Sequence, residues 1–157
     1  MKKIARITSI ILIAAMLLAG CAQAAPATQE ATKPLKIAIV SPSTINDLAF
    51  TQSIYDAMVV LQKEMGADKL EFVYSENMFV VDDAAAAIRD YATKGYDIVI
   101  AHGSQYGSSV QEIAPDFPDT VFAWGTTVDT FGLPNVFAYE AASDQGGYVN
   151  GVMAAML

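Results

Sequence analysis

Three short stretches carry residue types that can act on a small molecule. The first runs Ser41-Pro42-Ser43-Thr44-Ile45-Asn46-Asp47-Leu48-Ala49-Phe50-Thr51-Gln52. It is long and polar for a strand-to-helix connection, where about two to six residues are usual. Phe50 falls where a helix should begin, and its ring either stacks on a flat ligand or packs beneath the loop. Asp47 either accepts hydrogen bonds from a ligand hydroxyl or amine, or caps the coming helix. The second stretch is His102-Gly103-Ser104-Gln105-Tyr106-Gly107. Glycines at a strand end let backbone approach a ligand, and the helix that follows offers free N–H groups. The third is Gly125-Thr126-Thr127, whose hydroxyls can bind sugar or amide groups or simply satisfy their own turn.

Other chemistries are harder to write with these residues. His102 is the only histidine and Cys21 the only cysteine, so a zinc site lacks ligands and no cofactor is expected. The second stretch has no Gly-Lys-Ser/Thr ending, so it is not a phosphate loop. Ser104 and His102 are neighbours on one turn, which rarely meets triad geometry, and no Gly-x-Ser-x-Gly elbow exists. Binding rather than catalysis is the expectation.

The elements that must position these stretches alternate in type. Lys36–Val40 is a near-continuous apolar strand, the mark of burial on both faces. Ile54, Met58, Leu61 and Met65 recur at helical spacing, with Gly66 as the stop. Leu70–Tyr74 reads as a second strand. Asp82-Asp83 should cap a helix carrying Ala84, Ile88 and Tyr91, closed by Gly95. Asp97–Ala101 reads as the third strand, Tyr106–Ala114 as a short helix stopped by Pro115, Thr120–Trp124 as the fourth strand and Val136–Tyr139 as the fifth. Ser143-Asp144 should cap a last helix with Val149, Val152, Met153 and Met156 on one stripe. Trp124 reads as core. This alternation predicts an α/β, doubly wound parallel sheet. In such sheets ligands sit beyond the carboxyl ends of the strands, where strand order reverses. The chemistry-bearing stretches all lie at those ends.

The chain begins with Met1, Lys2, Lys3 and Arg6, followed by an apolar run to Gly20, the layout of a secretory signal. Cys21 after Leu18-Ala19-Gly20 resembles the bacterial lipobox, which implies cleavage before Cys21 and a lipid anchor on its sulfur. Residues 22–35 hold two prolines and few large apolar groups, as a disordered tether would. Losing three cations with the signal takes Lys plus Arg from 9 to 6 against 17 Asp plus Glu, a net charge of −11. Such acidity argues against nucleic-acid partners and leaves neutral or cationic small molecules open. The chain stops inside an apolar helical pattern, so a second half is expected beyond it.

Several pieces together resemble the basic membrane protein family of lipid-anchored substrate-binding proteins of ABC transporters, a group that includes purine nucleoside receptors. They are Asp47-x-x-Phe50-Thr51-Gln52, Glu112-Ile113-Ala114-Pro115-Asp116-Phe117-Pro118-Asp119, Asn135-Val136, and Asp144-Gln145-Gly146-Gly147-x-x-x-Gly151. The resemblance implies a truncated first lobe of a two-lobe, type I periplasmic-binding-protein-like fold, covering 36–142, with 143–157 starting the second lobe. It implies an extracytoplasmic solute receptor that takes a small molecule, nucleoside-like as a first guess, and docks on a membrane permease. Phe50 corresponds to the aromatic that stacks on the base, Thr51 to a ligand-binding Asn, and Asp47 to the acidic residue of the motif. The chain departs from the family at Ala49, at Thr51, and at Gly125-Thr126-Thr127, where nucleoside-binding relatives tend to place a carboxylate. The expected ligand-binding set is Asp47, Phe50, Thr51, His102, Gly103, Ser104, Gln105, Tyr106, Gly125 and Thr126. A lipid-anchored sensory module and a nucleoside-processing enzyme are the rival readings.

Overall fold

The structure is a computed structural model that describes residues 33–157. The signal segment, Cys21 and most of the tether lie outside the described residues. Five parallel strands form one sheet: β1 (Leu35–Val40), β2 (Leu70–Ser75), β3 (Ile98–Ala101), β4 (Val121–Gly125) and β5 (Val136–Tyr139), in the order β2-β1-β3-β4-β5. The order reverses between β1 and β3, where Val40 pairs with Ala101. Leu35, expected in the tether, already pairs with Leu70.

Helix α1 (Phe50–Met65) lies on one face of the sheet; α2 (Val81–Thr93) and α3 (Gly107–Ile113) lie on the other. Residues alternate along each strand, so Ala38 and Val40 of β1 face α2 and α3 while Ile37 and Ile39 face α1. The α2/α3 side holds the larger core, built on Ile88, Val99, Val110, Ile113, Phe122 and Tyr106, all at most 2% exposed. Each such aliphatic or aromatic side chain is worth about 1.5–3 kcal/mol on burial, so this face drives most of the collapse. The α1 side is thinner. Met58 is buried, but Leu61 and Met65 of the same stripe are exposed, and so is Phe137 of β5.

Asn135 ties two of the family-like segments together. Its side-chain amide donates to the carbonyls of Ala114, Phe117 and Thr120 at 2.9–3.1 Å. The turn before β4 is thereby fixed from the start of β5.

Two capping expectations are corrected. Val80 stands at the N-cap of α2 without a side-chain bond, and Asp82 and Asp83 sit inside the first turn, where their charge favours the helix dipole. The last helix, α4 (Ser143–Met156), has Ala142 at its N-cap and no side-chain cap bond. Pro115 stands where the expectation put it: the α-helical run of α3 ends at Ile113, and Pro115 lies in the 3-10 turn, Ala114–Asp116, that follows. Helix α4 buries no residue, and its stripe of Val149, Val152, Met153 and Met156 is exposed.

Candidate functional site

The loop after β1 is closed on itself. Both Asp47 carboxylate oxygens accept two hydrogen bonds. The Ser43 hydroxyl and the Thr51 N–H reach Oδ2, while the N–H groups of Ala49 and Gln52 reach Oδ1. Four donors fill the lone pairs of a carboxylate. The Ser43 bond chiefly, with the Gln52, Ala49 and Thr51 amides, holds the Asp47 carboxyl far below its ordinary range, against an opposing desolvation. Since Ser43 donates to Asp47, the Thr51 hydroxyl donates to Ser43, at 2.8 Å, and Thr51 is only 1% exposed. Asp47 and Thr51 therefore pin the start of α1 and have little left for a ligand. The loop also holds its neighbour. Asn77 and Met78 donate to the carbonyls of Ser43 and Ser41, and the Ile45 N–H donates to Glu76.

Phe50, the first residue of α1, is thereby delivered to the strand ends and is 38% exposed. One ring face stacks on the His102 imidazole, with centroids 3.9 Å apart and planes 18° apart. His102 follows β3 and is 5% exposed. Its Nε2 lies 3.0 Å from the Phe50 carbonyl and its Nδ1 2.7 Å from the Tyr139 hydroxyl. A carbonyl only accepts, so Nε2 carries the hydrogen. Burial pushes the His102 pKa below its ordinary value, against smaller opposing effects of the Phe50 carbonyl and Asp47. In that neutral ring Nδ1 accepts, and Tyr139 donates to it. Burial pushes the Tyr139 phenol up. The Tyr139 ring continues the stack beyond His102, 6.1 Å away and 13° from parallel.

Tyr139 crosses the end of β4 because residue 125 has no side chain. A Cβ on Gly125 would stand 2.6 Å from the Tyr139 hydroxyl. Thr126 next to it takes a left-handed backbone, φ 63°, which is costly for a β-branched residue. Leu48 and Asn77 share that conformation in the loops after β1 and β2. Of these, Thr126 lines the pocket described next.

A pocket of about 280 Å³ opens on this stack, lined by Phe50, Ser53 and Ile54 of α1, by His102 and Thr126, and by Tyr139, Glu140 and Ala141. Of the expected set it takes in Phe50, His102 and Thr126. Gly125 shapes it from behind. The other expected residues are placed elsewhere. The Gly103 carbonyl accepts from the Trp124 indole at 3.0 Å, and Trp124 is core, stacked on Phe131. Tyr106 is fully buried and donates to the Met78 carbonyl at 2.7 Å, with burial pushing its pKa up to about 12. Gln105 is half-buried beside Gly103, and Ser104 is exposed away from the pocket walls. The residues that sequence reasoning missed, Ser53, Ile54, Tyr139, Glu140 and Ala141, follow two simple signals. Ser53 and Ile54 lie one turn along the helix from Phe50, and Tyr139–Ala141 leave the carboxyl end of a parallel strand. Among the described residues no group of His, Cys, Asp and Glu is arranged to hold a metal, and no helix is long and apolar enough to cross a membrane.

The chain is similar to proteins of known description. A transcriptional activator protein, Med, of Bacillus subtilis (strain 168) is 27% identical over 140 residues, 89% of this chain and 41% of that protein. A purine-binding protein of Brucella abortus (strain 2308) is 29% identical over 128 residues, 82% of this chain and 36% of that protein. The chain thus spans well under half the length of these relatives. Among solved structures, an ABC transporter solute-binding protein from Conexibacter woesei superposes with a TM-score of 0.66 at 25% identity, over 74% of this chain and 38% of that one. The model of the Bmp family, described as PnrA-like ABC transporter substrate-binding proteins, matches residues 35–157, which include the whole sheet and every wall of the pocket. By that match the chain belongs to the Bmp family of ABC transporter substrate-binding proteins.

Proposed function

We propose that this chain is the ligand-gripping lobe of an extracytoplasmic receptor for an ABC importer, lipid-anchored through Cys21, and that it takes a flat, nucleoside-like small molecule. The observation that carries this reading is the Phe50 ring. It is backed by His102, lines a pocket, and is seated where strand order reverses. A flat ring laid on it would gain stacking without displacing protein, because the platform is already assembled. A second lobe would close over the ligand, and the closed form would dock on the permease. The description of the Brucella relative as purine-binding agrees with this ligand class. The site has no nucleophile–base pair, since the His102 nitrogens are both occupied by the Phe50 carbonyl and Tyr139, so we read it as a binding site rather than an enzyme's.

Titration of the purified chain with nucleobases, nucleosides, sugars and amino acids tests the reading. Flat heterocycles should bind and shift the Phe50 and His102 ring resonances. Binding of sugars or amino acids alone, with those rings unmoved, would defeat it. The Bacillus relative's description as a transcriptional activator supports a second reading, a ligand-sensing module. Deletion of the gene separates the two. A receptor's loss abolishes uptake of the labelled ligand, whereas a sensor's loss leaves uptake intact and alters transcription.

A further inference from the structure

His102 joins three elements. It follows β3, its Nε2–H donates to the Phe50 carbonyl at the start of α1, and its Nδ1 accepts from the hydroxyl of Tyr139 at the end of β5. A proton added to the ring treats these two bonds differently. Nε2 already carries its hydrogen and keeps it. Nδ1 gains a hydrogen where the Tyr139 hydrogen lies, and a gap of 2.7 Å does not hold both. The Tyr139 O–H must turn away, and the bond reverses, with Nδ1–H donating to the phenol oxygen. The phenol hydrogen is then stranded. His102 is the one hydrogen-bond partner of that hydroxyl among the described residues, and the Gly125 backbone packs so close that a Cβ there would stand 2.6 Å from it. The same charge acts the other way on α1, since a cation against the Phe50 ring, 3.9 Å between centroids, is attracted by it. Protonation therefore tightens the α1 side of His102 and loosens the β5 side.

We infer that His102 is a proton-operated latch on the pocket wall: neutral, it ties the start of α1 to the end of β5, and protonated, it turns the Tyr139 hydroxyl away and loosens that wall while the loop after β1 stays locked. The charged groups around the ring are two carboxylates. Asp47, in the loop after β1, favours the imidazolium through space, and Glu140, next to Tyr139, lines the same pocket. The other pocket residues from α1 and from the end of β4, Phe50, Ser53, Ile54 and Thr126, do not titrate. Burial outweighs the carboxylates and pushes the His102 pKa down, so the latch is shut in neutral solution and opens in acid. Asp47 cannot be the source of the change, because its four donors keep it ionised throughout that range. The latch is made of the protein's own side chains and depends on no choice of ligand. Whatever the pocket takes, it meets a different Tyr139 on the two sides of the transition.

The test follows two spectroscopic signals of the purified chain from about pH 8 down to the onset of acid unfolding. Nitrogen NMR of the only histidine shows which ring nitrogen carries hydrogen. The ring Raman doublet of a tyrosine shows whether its hydroxyl donates or accepts, and the difference between the wild-type chain and Tyr139→Phe isolates residue 139. Nδ1 should be bare at the start and gain its hydrogen with a midpoint below 6.5. Tyr139 should pass from donor to acceptor at the same midpoint. Hydrogen exchange of the amides at 138–141, corrected for its intrinsic pH dependence, should quicken by about fivefold, the factor that one ordinary hydrogen bond is worth. The amides of Thr51 and Gln52, which bond Asp47, should keep their protection. In Tyr139→Phe no proton-linked quickening should be left. A Tyr139 that still donates after Nδ1 has its hydrogen would overturn the latch. So would a histidine that stays neutral until the chain unfolds, equal quickening at Thr51 and Gln52, or quickening that persists in Tyr139→Phe.

Discussion

The loop after β1 and the ring stack across the strand ends are both hydrogen-bonded networks a few residues apart, yet they end differently. In the loop, four donors converge on Asp47 and the Ser43 and Thr51 hydroxyls close the circuit, so nothing is left over. In the stack, Phe50, His102 and Tyr139 satisfy one another's polar groups and together line an open pocket. A polar cluster that closes on itself rigidifies; one that also lines an open space can receive a ligand. The two are joined through Phe50, whose backbone belongs to the first network and whose ring belongs to the second.

If that division holds, variants should sort by region. The largest effect is expected from Phe50→Ala. Losing the stacking face should weaken binding of a flat heterocycle by about tenfold or more, a larger effect than the partly exposed ring's loss has on thermal stability. Retained affinity in a titration would break the comparison at its centre. Asp47→Ala should do the reverse. Removing a carboxylate that organises the first turn of α1 should lower the melting temperature by about 5 °C, and any loss of affinity should be smaller than for Phe50→Ala. Differential scanning calorimetry beside the same titration would show it. Next comes Tyr139→Phe, which leaves His102 Nδ1 without its donor. A cost of about 1 kcal/mol is expected, with a shallower pocket rim.

The smallest effect concerns pH, and it separates the two networks on one axis. His102 has its folded pKa lowered, so the unfolded chain binds that proton more readily. Its stabilising share is full above pH 6.5 and is lost as pH falls from there through the lowered folded value. Asp47 is also lowered in the folded chain. Its share is full above its unfolded pKa near 3.8 and is lost only as pH falls below that. A melting-temperature profile should therefore decline gently below pH 6.5 and again below about pH 4. Asp47→Ala should remove only the second decline. A single step in both proteins would show that the networks do not titrate separately.

Much of the architecture was legible in the residues. Continuous apolar runs such as Ile98–Ala101 can be buried only in a sheet covered on both faces, and the interleaved 3.6-residue stripes supply that cover. The stripe in α1 misled in its second half, where Leu61 and Met65 are exposed although they follow the spacing of the buried Met58. The capping aspartates misled by two or three residues, since acidic residues favour both the cap and the first turn, and composition does not separate the two. In the candidate site, strand-end position pointed to Phe50, His102 and Thr126, which line one pocket. It did not separate Tyr106, which turns into the core, from Tyr139, which lines the pocket.

Local pattern determined the element order, the parallel sheet, the position of Phe50 at a helix start and the acidity of the surface, because each depends on periodicity or composition within a short window. Tertiary structure alone decided which side chains share a hydrogen. Phe50, His102 and Tyr139 lie 52 and 37 residues apart along the chain in successive pairs. Their tautomers and rotors are set by partners that no window of sequence contains.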